Sequence, residues 1–399
     1  MIEEIRTENE YGKGLVKSWA SIIDDPTRAQ AALISRVPII EGYLALMPDA
    51  HFGFGPPVGS ALKTREAVMP YAVGVDIGCG MIAVQTDLTR DAFRGVERHV
   101  LGHVRELIPS GVGTAHKSPL PQADAFIADN GYPRGLTEDT FKRDADGMQR
   151  KARIQFGTLG AGNHFVEVCE DKYGVVWLLL HSGSRGVGNM LATGHFHIAQ
   201  DFCAREEITL EHREMAYLPA ETVEAEVYLG DMLWAQRYAY AQREAMMDSL
   251  MEAVSRELGS DWNEVQRINC HHNYAEETGD GAWLTRKGAI DASEGKLGII
   301  PGSMGAATYI VRGKGNAEAY NTSPHGAGRI LGRNQARKTL TESEFREQMT
   351  GKTWLDRDAK RLLDEAPSAY KPIEQVIADS ADLVEPVAVL SQFINYKGL

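Results

Sequence analysis

The 399-residue chain is 43% hydrophobic and 24% charged, an ordinary globular composition with enough length for a large core. Its formal charge of −13 argues against a protein that coats nucleic acid nonspecifically, a mode driven by phosphate neutralisation, though a local basic groove stays open to it. Charged opening residues and the lack of any apolar run of about 18 residues point to no signal peptide and no membrane span, so the expected address is the cytoplasm.

Glycine and proline punctuation alternates with short β-branched runs and isolated amphipathic segments, which predicts an α+β protein with long functional loops. In chain order, strands are expected at 43–47 and 72–75. A stretch rich in Gly, Pro, Asp and Lys over 101–153 has a weak pattern and reads as an insert or a mobile flap within one domain spanning 1–399. A strand follows at 175–181. The clearest helix covers 224–258, where Val227, Trp234, Tyr238, Met246, Leu250 and Val254 recur at helical spacing. Another strand is expected at 298–300. A helix should begin after Thr341, which stands at capping-box spacing from Glu344 with Phe345 and Met349 following at i, i+4, and a last helix is expected over 372–383.

Unusual residues gather where these strands end. In VGVDIGCGM, Asp76 and Cys79 offer a carboxylate and a thiol from one tight turn. Alone, such a turn is more often structural, since a free Cys is commonly a small buried hydrophobe. The four cysteines, Cys79, Cys169, Cys203 and Cys270, show no disulfide-framework spacing, so at least one is free for chemistry. LGAGNHFVE adds Asn163, His164 and Glu167, LLLHSGSRG adds His181, and NCHHNY adds His271 and His272. Imidazole and thiolate together suit Mn²⁺, Zn²⁺, Co²⁺ or Fe²⁺ better than Mg²⁺, and the set is large enough for two ions. Ser182, Ser184 and Arg185, with Ser303 in IIPGSMGAAT, offer hydroxyls, charge and bare amides to phosphate. In SPHGAGR, His325 reads equally as a turn histidine or as a nucleophile toward phosphorus with Arg329 stabilising developing charge.

In this order, MPDAHFGFG, VGVDIGCGM, GTLGAGNHFVE, LHSGSRGVGN, NCHHNY, PGSMGA, SPHGAGR and a terminal YKG resemble the RtcB family of tRNA-splicing ligases over essentially the whole chain. The resemblance implies a fold peculiar to that family, a β-rich core with peripheral helices, carrying two Mn²⁺ ions on Asp76, Cys79, His164, His181 and His272, with Cys79 bridging. In the His271 and His272 pair, the residue followed by Asn matches the family ligand, which selects His272. His325 matches the nucleophile that attacks the α-phosphorus of GTP and carries GMP covalently. The resemblance also implies that Asn163 contacts phosphate, Glu167 reads guanine N–H groups, and Ser303, Thr308, Tyr370 and Lys397 frame base and ribose. Asp49 matches a residue beside the guanylated histidine, and Arg185 and Arg329 are implied to bind phosphate or the RNA end.

The partners so implied are GTP, RNA with 3′-phosphate or 2′,3′-cyclic phosphate and 5′-hydroxyl ends, and, for some members, archease; monomer is the default. Pro324 stands where Cys or Ser is common, and the N-terminal and 101–153 stretches diverge, which leaves tRNA splicing and RNA repair both open. Two other readings stand beside the ligase: a metal-dependent RNA phosphodiesterase or phosphatase that never ligates, and a GTP-sensing RNA-binding protein.

Overall fold

Successive side chains on a strand point to opposite faces, so a strand covered on both sides reads as an unbroken apolar run. Two such runs centre the computed structural model of the chain, which describes residues 1–137, 141 and 144–399. In Gly80–Thr89 and Val175–Ser182, the residues Ile82, Val84, Val176, Leu178 and Leu180 face a helical layer. Their neighbours Met81, Ala83, Trp177 and Leu179 face a second cluster with Ile268, Ile299, Ile310 and Leu390.

Both strands lie in a seven-stranded antiparallel sheet in the order Glu264–His271, Gly80–Thr89, Val175–Ser182, Phe165–Glu170, Val384–Lys397, Thr308–Gly313 and Leu297–Pro301. A six-stranded sheet runs Glu3–Asn9, Gly12–Ser18, Ile40–His51, Val58–Arg65, Ala282–Lys287 and Asn273–Glu277, with one parallel pairing, between its second and third strands. Glu264–His271 belongs to one sheet and Asn273–Glu277 to the other, so residue 272 lies at the seam between them.

The 36-residue helix Val223–Leu258 starts at Thr222, whose side chain caps Ala225 N–H, and ends at Gly259. Its expected stripe is buried throughout. Met246, Met247, Leu250 and Val254 cover the sheet beside Val100, Leu101 and Val104 of Glu97–Leu107. Trp234 and Tyr238 pack edge-on against Phe126, in a cluster with Val187, Leu191 and Phe196 of Arg185–Arg205. The 101–153 stretch carries Pro121–Asn130, Arg134–Thr137 and Ala145–Gln155, which contribute Ala123, Phe126, Leu136, Met148 and Ala152 to the same cluster; positions 138–140 and 142–143 lie outside the described residues. So few buried side chains per helix explain the weak sequence pattern.

The helices and sheets are segregated, as the α+β reading expected. The capping box of Thr341 and Glu344 is formed. One expectation fails and another is shortened. Residues 72–75 are not a strand: Pro70 opens a single helical turn, Pro70–Val73, because its ring presets φ for a first helical position, and Gly74 at φ +90° ends it. The helix expected over 372–383 is Ile373–Asp379, and the chain then turns at Ser380 to bury Leu383. No helix among the described residues is long and apolar enough to cross a membrane.

Candidate active site

The turn that follows Pro70–Val73 presents Asp76 and Cys79. Cys79 N–H donates to the Asp76 carbonyl at 3.1 Å, Gly78 at φ +72° donates to the Asn273 carbonyl at 2.6 Å, and His272 N–H donates to the Cys79 carbonyl at 2.8 Å. The strand leaving this turn passes so close to its neighbour that a Cβ on Gly80 would lie 2.1 Å from the Cys270 carbonyl oxygen. Register places Met81 and Phe165 on either side of His181, and His164 directly precedes Phe165. Three strand ends and the sheet seam thus deliver the donors to one place.

Cys79 Sγ lies 3.4 Å from His164 Nε2 and 3.3 Å from His181 Nε2. His181 Nε2 is 2.9 Å from His272 Nε2, and His164 Nε2 is 3.1 Å from Asp76 Oδ2. On each ring Nδ1 faces an acceptor: the Leu159 carbonyl at 2.9 Å for His164, the Asn163 carbonyl at 3.2 Å for His181, and Asn273 Oδ1 at 3.3 Å for His272. Nδ1 therefore carries the proton, and three Nε2 lone pairs turn inward beside a thiol and a carboxylate. With the protons on Nδ1, the His181 and His272 lone pairs stand 2.9 Å apart, an arrangement that a cation bound by both rings would relieve. Two donor sets, Cys79 with His181 and His272, and Asp76 with Cys79 and His164, each have their ligand atoms within 4.8 Å of one another and share Cys79.

The electrostatics agree with a cation site. Burial, with neighbouring imidazoles, holds His181 and His272 well below the ordinary histidine range, so both are neutral donors. Burial and then the Asp76 charge push the Cys79 thiol well above its usual range, a bias that a bound cation reverses.

Beneath these donors lies a residue that nothing in the sequence marked. Arg243 is fully buried within the long helix and donates to the Gly78 carbonyl at 2.7 Å, the Ser182 carbonyl at 3.1 Å, Asn269 Oδ1 at 2.9 Å and His271 Nδ1 at 3.1 Å. Among the described residues it has no carboxylate at ion-pair distance. His271 thus faces the Arg243 guanidinium and stands in neither donor set, whereas His272 stands in one. Asn273, quoted in the NCHHNY motif but given no role, ties the site together: its Oδ1 also accepts from Gly288 N–H at 2.8 Å and its Nδ2 donates to the Asp76 carbonyl at 3.3 Å.

Across from His272, with ring centroids 4.5 Å apart, stands His325. Fully buried Asp49 accepts from the His325 backbone N–H at 3.1 Å and from Nδ1 at 2.7 Å. The proton so held on Nδ1 leaves the Nε2 lone pair available for nucleophilic attack. The chain closes tightly over Asp49, since a Cβ on Gly328 (φ +73°) would lie 2.0 Å from the Asp49 carbonyl oxygen. Lys371, also unmarked in the sequence, donates to the carbonyls of Pro48 at 2.9 Å and Ala50 at 2.7 Å and sets a cation beside Asp49.

A cleft of about 590 Å³ brings together Asp76, Asn163, His181, His272, His325, Arg329, Tyr370 and Lys397 among its lining residues. Arg329 Nη1 donates to Tyr370 Oη at 3.1 Å, Tyr370 donates to Glu365 at 2.7 Å, and Lys397 Nζ lies 2.9 Å from Glu365 and 3.3 Å from the Asn163 carbonyl. Burial raises the Glu365 carboxyl, but Lys397 and Arg333 hold it at about 2.

Asp49, Glu167, Ser303, Thr308 and Arg185 are not on the lining. Asp49 stands behind His325. Burial pushes the Glu167 carboxyl up to about 8 against the pull of Lys397 and Lys352. Its Oε2, Asn395 Oδ1 across the strand pair, Ser303 Oγ and Thr308 Oγ1 are buried without a partner in the protein. Arg185, non-glycine at φ +59°, donates to Thr158 Oγ1 at 3.0 Å and to the Gly111 carbonyl at 3.5 Å. It packs against Gly160, on which any Cβ would meet both Arg185 and His164.

A family model described as tRNA-splicing ligase RtcB matches residues 30–398. The RNA-splicing ligase RtcB of Escherichia coli K12 is 37% identical over an alignment covering 99% of each chain. The tRNA-splicing ligase RtcB of Pyrobaculum aerophilum is 30% identical over 88% of this chain and 87% of its own. The RNA-splicing ligase RtcB of Mycobacterium bovis is 28% identical over 92% of this chain and 100% of its own.

Proposed function

The chain belongs to the RtcB family, and from that premise we propose that it is a GTP-dependent RNA ligase, joining a 3′-phosphate or 2′,3′-cyclic phosphate end to a 5′-hydroxyl end. The observation that carries this reading is His325, with Nδ1 committed to buried Asp49 and its ring 4.5 Å from His272 of the donor sets. Asp76, Cys79, His164, His181 and His272, whose two donor sets share Cys79, would hold two Mn²⁺ ions. Such ions would supply Lewis acidity toward phosphate oxygens.

His325 Nε2 attacks the α-phosphorus of GTP; a P–N bond forms, the bond to the bridging oxygen breaks, and pyrophosphate leaves. Asp49 keeps the Nδ1 proton and stabilises the positive charge that the ring acquires. A cyclic end is first opened by water to a 3′-phosphate. An oxygen of that phosphate attacks the histidine-bound phosphorus, releasing the imidazole and giving RNA(3′)pp(5′)G. The 5′-hydroxyl of the second RNA then attacks the RNA-borne phosphorus, loses its proton and expels GMP, leaving a 3′,5′ linkage.

In this reading Glu167, ionised, accepts from guanine N–H groups, with Ser303, Thr308, Tyr370 and Lys397 around base and ribose. Asn163, Arg185 and Arg329 meet phosphate oxygens of the nucleotide or the RNA end. Cytoplasmic tRNA splicing and repair of cleaved RNA both use this chemistry, and archease is a candidate activator.

Incubation with α-³²P-GTP and Mn²⁺ tests the proposal. Acid-labile, alkali-stable label should appear on the wild type and be absent from His325→Ala and Cys79→Ala variants. Intact GTP and unlabelled protein under every metal tried would overturn it for the isolated chain, and RNA-end hydrolysis by the wild type with no joining of ends would point to a phosphodiesterase.

A further inference from the structure

The loop between Ile40–His51 and Val58–Arg65 puts two large aromatic side chains in water: Phe52 is 60% exposed and Phe54 71%. Exposed phenylalanines on a floppy loop would mean little. Here the backbone beneath them is clamped. Buried Gln30 donates to the carbonyls of Gly53 and Gly55 and accepts from Gly53 N–H at 3.1 Å. Glu214 accepts from Gly55 N–H at 2.6 Å, and buried Lys287 donates to the Phe54 carbonyl and to the Tyr71 carbonyl at 3.2 Å. Gly55, at φ +67°, lies so close to Tyr71 that a Cβ there would come within 2.9 Å of the Tyr71 side chain. Tyr71 itself is stacked on Phe196 with centroids 3.9 Å apart. The fold therefore fixes the loop and leaves both rings uncovered.

Both rings line the cleft that holds His181, His272 and His325, as do exposed Val75 and Ile330. Charge offers a ligand in this cleft less than the count of basic residues suggests. Arg333 is paired with Asp364 at 2.8 Å and with Glu365, Lys397 with Glu365 at 2.9 Å, and the Lys287 ammonium is spent on two carbonyls. With the whole chain at −13, counterion release gives such a cleft little hold on an RNA strand. Stacking of bases on aromatic rings is the sequence-tolerant source of affinity that does not depend on charge.

We infer that Phe52 and Phe54 form a stacking platform at the mouth of the cleft for unpaired nucleobases of the RNA strand whose end is being joined. The inference rests on the ligase reading for the identity of the strand. Two residues apart, the rings are separated by no more than about 7 Å of chain, so neighbouring splayed bases can occupy both. A strand, rather than a docked protein, is the occupant that suits the lip of a reaction cleft, because a protein covering this lip would shut the ends out.

The test measures binding of a fluorescent single-stranded RNA bearing a 3′-phosphate to wild type, Phe52→Ala, Phe54→Ala and Phe54→Trp, with Mn²⁺ present and at several salt concentrations. Guanylylation from α-³²P-GTP is measured on each protein in parallel. Each alanine variant should bind the RNA roughly tenfold more weakly, with an unchanged salt slope and unchanged guanylylation. Phe54→Trp should retain affinity, and its fluorescence should be quenched by the RNA and not by GTP. Unchanged RNA affinity in both alanine variants, with guanylylation intact, overturns the platform. Absent guanylylation in the wild type strikes the ligase reading instead, and the affinity series still decides the platform.

Discussion

Replacing Asp49 with Asn keeps the shape of the group that holds His325 and removes its charge. Asp49 Oδ2 accepts two hydrogen bonds from His325, at 2.7 Å from Nδ1 and 3.1 Å from the backbone, and the side chain is fully buried. A hydrogen bond to a charged partner contributes about 1.5–3 kcal/mol and a neutral one about 0.5–1.5 kcal/mol, so the ground state loses about 1–2 kcal/mol of orientation. The carboxylate is needed more as the imidazole becomes cationic on forming the P–N bond, which brings the loss to about 2–4 kcal/mol at the transition state. Guanylylation should therefore slow roughly 30- to 1,000-fold.

The assay is single-turnover incorporation of label from α-³²P-GTP at saturating Mn²⁺, with the GTP dissociation constant read from the concentration dependence and folding checked by melting temperature. The rate should fall while GTP affinity, metal content and melting temperature hold. A wild-type rate in Asp49→Asn, or a loss accounted for entirely by weaker GTP or metal binding, would refute the assignment of Asp49 as the group that orients and charges the nucleophile.

Asn273→Ala removes the acceptor facing His272 Nδ1 and the amide that braces the Asp76 carbonyl. Mn²⁺ affinity by calorimetry should drop about 10- to 100-fold, and an unchanged value would show that Asn273 does not set the His272 tautomer. Glu167 gives a pH signature with a definite sign. Burial holds its carboxyl at about 8 in the free protein, so below that pH GTP must displace a proton to meet a carboxylate. Affinity for a non-hydrolysable GTP analogue should rise by up to about tenfold per pH unit toward pH 8 and then level, whereas Glu167→Gln should bind weakly without that slope. A flat profile in the wild type would take Glu167 out of guanine recognition.

Much of the site was legible in the chain because its chemistry needs scarce residue types on turns that only glycine permits. Cys79, His164, His181 and His325 each stand beside glycines at strand ends, a pattern that a packed core does not require. The strand at 175–181 and the helix at 224–258 were legible because two-residue and 3.6-residue periods over long apolar stretches leave little ambiguity. The short run at 72–75 was misread for the converse reason: a few apolar residues fit a strand or one helical turn, and Pro70 together with its packing decided for the helix.

What the sequence by itself supplied is therefore the inventory of candidate donors, a candidate nucleophile and the main periodic elements. Tertiary structure alone decided which of them meet. His271 and His272 are adjacent in the chain, yet successive residues at a strand end point opposite ways, so one faces Arg243 and the other faces the donors. Arg243 sits in a helix like any amphipathic residue, and Lys371 lies in an unremarkable loop. Each acquires its role only when strands distant in the chain pair in one register and bring carbonyls to its side chain. The clamped exposure of Phe52 and Phe54 arises in the same way, because Gln30, Glu214 and Lys287 come to that loop from three distant segments, and nothing local in the chain encodes where distant segments meet.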